Sequence, residues 1–295
     1  MSHKVSVCIC TRNRPEDLRK ALNSLESSTY PVFETIVSDD STNNDTETLI
    51  HSNYPNVKYL AGPRRGLGAN RNNALKAVTG SHVLFIDDDV VLDTQFLETI
   101  FAHLEAYVKK EGAKIENIIV TGLEKKNGEL VFPHEQDFLG FQKIDYKLDD
   151  SLKTVVINSA VFPSSLFKKV VFDEKLVYGC DEVDFTTRAV QKGFKIILCS
   201  QAVNFHFPSN VNRDFYKPYH EASRLYVTFK RYFSTEKKRF KALVYLGVAS
   251  AHTTAHTLKL EGLRGILKAL STFRTVSSYM VMEYLTEQKQ QKSLS

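Results

Sequence analysis

Nothing in the 295 residues supplies zinc-finger spacing, an RNA-binding signature or a long arginine-rich tract. A nucleic-acid reader normally carries such a footprint. The net charge of +5, from 39 basic and 34 acidic residues, is too mild to replace it. The expectation is no nucleic-acid partner, with room left for a nucleotide diphosphate or acidic lipid. Cysteine is scarce: Cys8, Cys10, Cys180 and Cys199 form no C-x-x-C pair, which predicts reduced thiols in a cytosolic protein. The longest weakly apolar run, Ala242 to Ala251, falls far short of the ~20 residues of a membrane span. Met1-Ser2-His3-Lys4 leads straight into a strand pattern, so no signal peptide is expected. Together these absences predict a soluble, cytoplasmic chain, at most peripheral at the inner face of a membrane. At 42% hydrophobic and 25% charged, the composition is that of a globular protein rather than a disordered one.

What is present is an acidic cluster. Asp87-Asp88-Asp89 closes the most strand-like apolar stretch, Val83 to Ile86. Three carboxylates at a strand end repel one another unless a cation or a ligand offsets them. Mg²⁺ and Mn²⁺ prefer oxygen donors, and Mg²⁺ commonly takes one or two carboxylates plus substrate phosphates. A helix-starting turn would explain one aspartate, since Asp is a good N-cap, but hardly three.

The surrounding pattern supplies a frame for that cluster. Strands are predicted over Val5–Cys10, Phe33–Val37, Val57–Leu60 and Val83–Ile86, with helices from Pro15 and over Asn70–Val78. This alternation implies a mostly parallel, doubly wound sheet. Ligands on such sheets bind beyond the carboxyl ends of the strands, where Thr11-Arg12-Asn13, Asp39-Asp40 and Asp87-Asp88-Asp89 all fall. Later strands are predicted over Asn117–Thr121, Thr154–Phe162, Lys195–Leu198 and Val203–Phe207. An irregular stretch, His134 to Asp150, separates the first two, and a helix is predicted over Asp181–Gln191, ended by Gly193. From about Asp214 the chain reads as helical, up to a disordered-looking tail from Glu287 to Ser295.

These segments, in this order over residues 4 to 210, resemble the family 2 glycosyltransferases. Val5 to Arg14 is similar to that family's opening strand and nucleotide loop. Ile36 to Thr42 resembles its base-binding aspartate motif, and Gly66 to Ala74 the segment with an Arg-Asn pair. Phe85 to Asp89 fits the D-x-D metal motif, and Gly179 to Phe185 the acceptor-side acidic motif, with Arg188 and Gly193 beyond. The resemblance implies a GT-A fold over 1–212 followed by a C-terminal helical extension over 213–295. It also implies an inverting, metal-dependent transfer from a nucleotide diphosphate sugar to a glycan or lipid-linked acceptor, in cell-surface polysaccharide or glycoconjugate synthesis. A uridine diphosphate sugar is favoured and a thymidine one is compatible. The chain has no tryptophan, so the Gln-x-x-Arg-Trp motif of processive synthases is absent and transfer of one sugar, or a few, is expected.

By the same resemblance, Mn²⁺ or Mg²⁺ would be held by Asp89, with Asp87 and His206 completing the shell. Asp87 would otherwise hold ribose, and Asp88 is counted with the nucleotide-sugar-binding residues, being equally readable as a solvated or structural one. A histidine between phenylalanines, as His206 is, is also often only a satisfied core residue. Thr11, Arg12, Asn13, Asp39, Asn70 and Arg71 would bind the nucleotide sugar: Asp39 by accepting from the pyrimidine base, Arg71 by its forked donors on the diphosphate. An Asx turn at this loop fits Asp40 better than Asp39; a salt bridge is the other reading of Arg71. Glu182 aligns with the catalytic base and Asp181 with its support, but the order of the usual Glu-Asp pair is inverted, which keeps Asp181 as an alternative. Ser41 stands where a glycine is usual. The basic, amphipathic C-terminal helices read first as core-facing; docking on an anionic membrane or forming a homodimer are the other two readings. Two rival functions remain, a nucleotidyltransferase and a non-catalytic nucleotide-sugar-binding module. The first lacks the glycine-rich loop that would hold a triphosphate after strand one, and the acidic pair at 181–182 argues against the second.

Overall fold

The structure is a computed structural model that describes residues 3–147, 150–209, 211 and 213–294. In chain order the first half contains β1 (Val5–Thr11), α1 (Pro15–Glu26), β2 (Glu34–Asp39), α2 (Asp45–Asn53), β3 (Lys58–Ala61), α3 (Leu67–Leu75), β4 (His82–Asp87), β5 (Val90–Val91) and α4 (Phe96–Glu111). Then come β6 (Ile118–Lys126), β7 (Glu129–Val131), β8 (His134–Gln136), β9 (Gln142–Asp145), β10 (Ala160–Pro163), α5 (Asp181–Gln191) and β11 (Lys195–His206). Three helices follow: α6 (Arg213–Lys230), α7 (Arg239–Glu261) and α8 (Leu263–Leu294).

The main sheet runs β3-β2-β1-β4-β10-β6-β11-β5, with β7 on β6. Strands β3, β2, β1 and β4 are mutually parallel, β10 is antiparallel to both its neighbours, and β6 and β11 are again parallel. Alternation along the inner strands feeds two cores. Val5, Val7 and Ile9 of β1 join Leu84 and Ile86 of β4 under α1 and α4. Cys8, Val83 and Phe85 face a second cluster with Phe162, Phe172 and Phe185. A strand buried on both faces must be continuously apolar, which is why β1 and β4 were so visible in the sequence. The four cysteines are free and buried.

Several expectations are corrected. The two short strands over Lys195–Leu198 and Val203–Phe207 are one strand, β11, with a register shift between Leu198 and Val203. The strand expected over Thr154–Phe162 shrinks to β10, because Asn158 and Ser159 form a 3-10 turn that aims their side chains at β6. The helix expected over Asn70–Val78 begins at Leu67, just after Gly66, whose φ of 107° suits glycine alone. The irregular stretch holds the β8–β9 hairpin, its residues 148–149 lying outside the described ones. The tail expected to be disordered continues α8 to Leu294; Glu287-Gln288-Lys289-Gln290-Gln291-Lys292 are all strong helix formers with no glycine or proline to stop them. Ser295 lies outside the described residues.

The register decides where the polar clusters meet. Thr11 pairs with Asp39 and Cys10 with Asp87, so β1, β2 and β4 end on one rim. Strand β6 runs parallel to β4, through the antiparallel β10, and β11 runs parallel to β6. His206, at the end of β11, therefore arrives on the same rim.

Candidate active site

The three aspartates at the end of β4 diverge. Asp88 is fully buried; its carboxylate accepts from Thr11 Oγ1 at 2.7 Å and pairs with Arg14 Nη2 at 2.9 Å. Burial outweighs these contacts and pushes its pKa up to about 8. It holds the rim together rather than facing outward. Asp89 pairs with His206 Nε2 at 3.2 Å through one oxygen and with Arg14 at 3.1 Å through the other, which also accepts from the Ser209 N–H at 2.9 Å. Burial works against its charge, but His206, Ser209 and Arg14 prevail and hold its pKa below the ordinary carboxylate value.

His206 is not a passive core residue. Its Nδ1 lies 2.7 Å from Glu124 Oε1. The two carboxylates outweigh burial and push the imidazole up to about 10. Asn158 extends the chain of contacts: its amide donates to Glu124 Oε2 at 2.9 Å, and its Oδ1 accepts from the Asp87 N–H at 2.9 Å. The 3-10 turn of residues 157–159 thus links the backbone of β4 to the β6–β11 pair.

These groups border a cavity of about 470 Å³ whose wall includes Thr11, Arg12, Arg14, Asp40, Asn70, Asp87, Asp89 and His206, together with the stacked rings of Tyr178 and Tyr216. Its size is that of a small-molecule site. Asp39 does not reach it. Successive side chains at a strand end point to opposite faces, and Asp39 turns back to the Ser41 hydroxyl, to the Ser41 N–H at 2.9 Å and to Tyr59 Oη at 3.2 Å. Asp40 takes the cavity wall instead, accepting from the Arg64 N–H at 2.8 Å, while burial raises its pKa. The Asx turn thus belongs to Asp39 and not to Asp40. Gly62 makes the fit possible: a Cβ there would sit 2.2 Å from Asp40 Oδ1 and 2.7 Å from Asn70 Oδ1. Asn70 is anchored by Ser38 through its Oδ1 at 2.6 Å and its Nδ2 at 3.0 Å.

Asn13 lies off the cavity and does not cap α1, whose N-cap residue is Arg14. At a φ of 54° it ties the loops together, accepting from the Thr42 N–H at 2.9 Å. Arg71 is also behind the wall. Its guanidinium is buried between Asp181 and Asp87, the latter at 3.3 Å, and lies over the Phe172 ring at 5.4 Å.

That pairing separates the two acids of α5. Asp181 is buried and committed to Arg71. Glu182 is half-buried, and its carboxylate is held by its own backbone N–H rather than by an ion pair. Burial, reinforced by the charge of Asp181 and partly offset by Arg71, pushes its pKa up to about 7. Neither acid lines the cavity itself; Tyr178, which precedes the α5 turn, does.

Among the described residues no three His, Cys, Asp or Glu side chains are close enough to hold an ion by themselves. Asp87, Asp89 and His206 nevertheless share one cavity wall. Such a partial, oxygen-rich set fits Mg²⁺ or Mn²⁺ when phosphate oxygens supply the rest of the shell.

The sequence reading missed Arg14 and Glu124. Arg14 looked like a helix-start residue, although its position one step before Pro15 on the rim was a usable signal. Glu124 gave none, since its partner His206 is 82 positions away.

Comparison with known proteins agrees with this architecture. Residues 6–174, more than half of the chain, match the profile described as glycosyl transferase family 2. A GalNAc(5)-diNAcBac-PP-undecaprenol beta-1,3-glucosyltransferase of Campylobacter jejuni is 32% identical over 136 residues, 41% of this chain and 44% of that enzyme. The glycosyltransferase AglE of Haloferax volcanii is 24% identical over 216 residues, 68% of this chain and 66% of its own. The chain thus spans about half the length of the first of these relatives. Among solved structures, Staphylococcus aureus TarS superposes with a TM-score of 0.56 at 20% identity, covering 88% of this chain and 45% of that one. GalNAc-T7 with UDP, GalNAc and Mn²⁺ gives 0.63 at 14% identity, covering 81% and 50%. These likenesses identify the fold as GT-A, and the profile match makes the chain a member of glycosyl transferase family 2.

Proposed function

We propose that the protein is an inverting glycosyltransferase that moves one sugar from a nucleotide diphosphate sugar to a glycan or lipid-linked acceptor. In this reading residues 1–212 form the catalytic unit and 213–295 a helical extension, a boundary that falls at residue 212, outside the described residues. The reaction belongs on the cytoplasmic side of a membrane, in glycoconjugate synthesis. The observation that carries the reading is the cavity itself, with the carboxylates of Asp40, Asp87 and Asp89 on its wall at the carboxyl ends of the parallel strands.

The chemistry assigns each group a task. Asp40 accepts from the N3–H that uracil and thymine share, which favours uridine or thymidine diphosphate over purine nucleotides. Thr11, Arg12 and Asn70 shape the nucleotide wall, and Arg14 offers a cation beside the diphosphate. Asp39 and Asn13 hold the loops, and Arg71 and Asp88 position the acids around them. Asp89 and Asp87 would hold a divalent ion, with His206 able to join only when its Nε2 gives up the proton now shared with Asp89; when bound, the ion offsets the charge that develops on the leaving diphosphate. Glu182 removes the proton of the acceptor hydroxyl as that oxygen attacks the anomeric carbon. Asp181, held by Arg71, is its support.

Release of nucleotide diphosphate from a panel of nucleotide sugars with Mn²⁺ present tests this reading. Release from a uridine or thymidine diphosphate sugar is expected; pyrophosphate release from a nucleoside triphosphate, or no release at all, would overturn it.

A further inference from the structure

Helices α7 and α8 bury one face each in a cluster shared with α6 and the start of α5, through Ala242, Tyr245, Ala249, Val276 and Tyr279. Their opposite faces are apolar as well. On α7, Phe240 and Leu243 begin a stripe at helical spacing with Val244 and Val248, and on α8 Leu263, Leu267 and Leu270 form another, which Arg274 and Ser277 interrupt before Val281 and Leu285. Phe240, Leu263 and Leu267 are 80%, 81% and 70% exposed. A helix that is apolar on both faces belongs in a core or against an apolar phase. Among the described residues no helix is long and apolar enough to cross a membrane.

The charges around the stripes indicate what covers them. Residues 236–285 contain eight Lys and Arg and three acids, Glu236, Glu261 and Glu283, which pair with Lys238, Lys268 and Lys175. Two copies of this chain meeting through the face would bring like charges together, which disfavours self-association. Apolar side chains flanked by basic ones match instead a leaflet with anionic headgroups.

We propose that the α7–α8 face docks on an anionic lipid surface, lying in its interface without crossing it. The corner between the two helices also reaches toward the catalytic cavity. Leu260 and Lys268 wall a second cavity of about 230 Å³, and Glu221 lines both. Docking would therefore present the transfer site to an acceptor held in the same membrane. The proposal does not rest on the transfer reading, since binding to vesicles is measured without donor or acceptor.

The test is co-sedimentation of the full chain with vesicles of phosphatidylcholine alone, or mixed with phosphatidylglycerol. Binding should be at least about tenfold stronger to the mixed vesicles and fall as salt is raised. The variant Leu263→Glu/Leu267→Glu, changed only at exposed positions, should keep its circular dichroism and lose vesicle binding. Arg264→Ala should weaken it by about fivefold, the usual share of one basic side chain. Equal or absent binding of the parent to both vesicle types would overturn the proposal. So would a dimer in light scattering that the double glutamate variant dissolves while vesicle binding is absent.

Discussion

Replacing Arg71 with methionine removes one cation from a site that water hardly reaches. The guanidinium and Asp181 side chains are 3% and 2% exposed, so Asp181 is left charged and unpartnered in the interior. Breaking one side of such a buried pair costs about 3–5 kcal/mol. With a urea m-value of about 3 kcal/mol/M, the unfolding midpoint should fall by about 1–1.7 M. Burial already raises the Asp181 pKa against the opposing charge of Arg71. Without that charge Asp181 escapes by taking up a proton, so the deficit should shrink as pH is lowered. Removing both charges, in Arg71→Met/Asp181→Asn, should recover most of the stability, because the penalty belongs to the orphaned carboxylate. Urea melts of parent, single and double variants at two pH values provide the measurement. A single variant as stable as the parent, or a double variant as unstable as the single, would refute the reasoning. The recovered double variant also separates two roles for Arg71. Nucleotide affinity stays near the parent's if Arg71 acts from behind the wall, and falls more than about tenfold if its fork binds the diphosphate.

Further outcomes follow from the same geometry. Glu182→Gln should bind donor normally and transfer at least about a hundredfold more slowly; an effect at Asp181→Asn alone would exchange the two roles. A base raised to about 7 is protonated and idle below that pH, so kcat/KM should rise with pH through about 7, and an acid limb at an ordinary carboxylate value would contradict the assignment. Gly62→Ala should displace Asp40 and Asn70 and weaken nucleotide binding in calorimetry. Gly247→Ala, whose Cβ meets nothing within 4 Å, should instead stabilise α7 by about 0.5–1 kcal/mol in thermal melts. Asp89→Ala should abolish Mn²⁺-dependent nucleotide binding with the fold intact; full activity of that variant in a chelator would sink the metal role.

The doubly wound half was legible because its strands are buried on both faces, which writes β1 and β4 as apolar runs and leaves polar residues only at their ends. The α5 boundaries were equally plain, since Gly179 and Cys180 break the chain before it and Gly193 after it, each at positive φ. Side-chain direction was not legible. Asp39 and Asp40 are the same residue type one position apart, and only the pleat and the loop at Gly62 decide which one faces the cavity. Glu124 lies beyond the strand predicted over Asn117–Thr121, and its burial depends on Asn158 and His206 from distant segments. The burial of Arg71 was hidden for the same reason: Asp181 is 110 positions away.

The most direct test of the account is calorimetry of uridine diphosphate and guanosine diphosphate with Mn²⁺, on the parent, Asp40→Asn and Asp39→Asn. The account predicts tighter binding of the uridine nucleotide by the parent. That preference should shrink in Asp40→Asn, whose neutral amide oxygen is a weaker acceptor than a carboxylate, and be kept in Asp39→Asn. Equal affinity of the parent for both nucleotides, or a preference that disappears with Asp39 and survives the loss of Asp40, would contradict it.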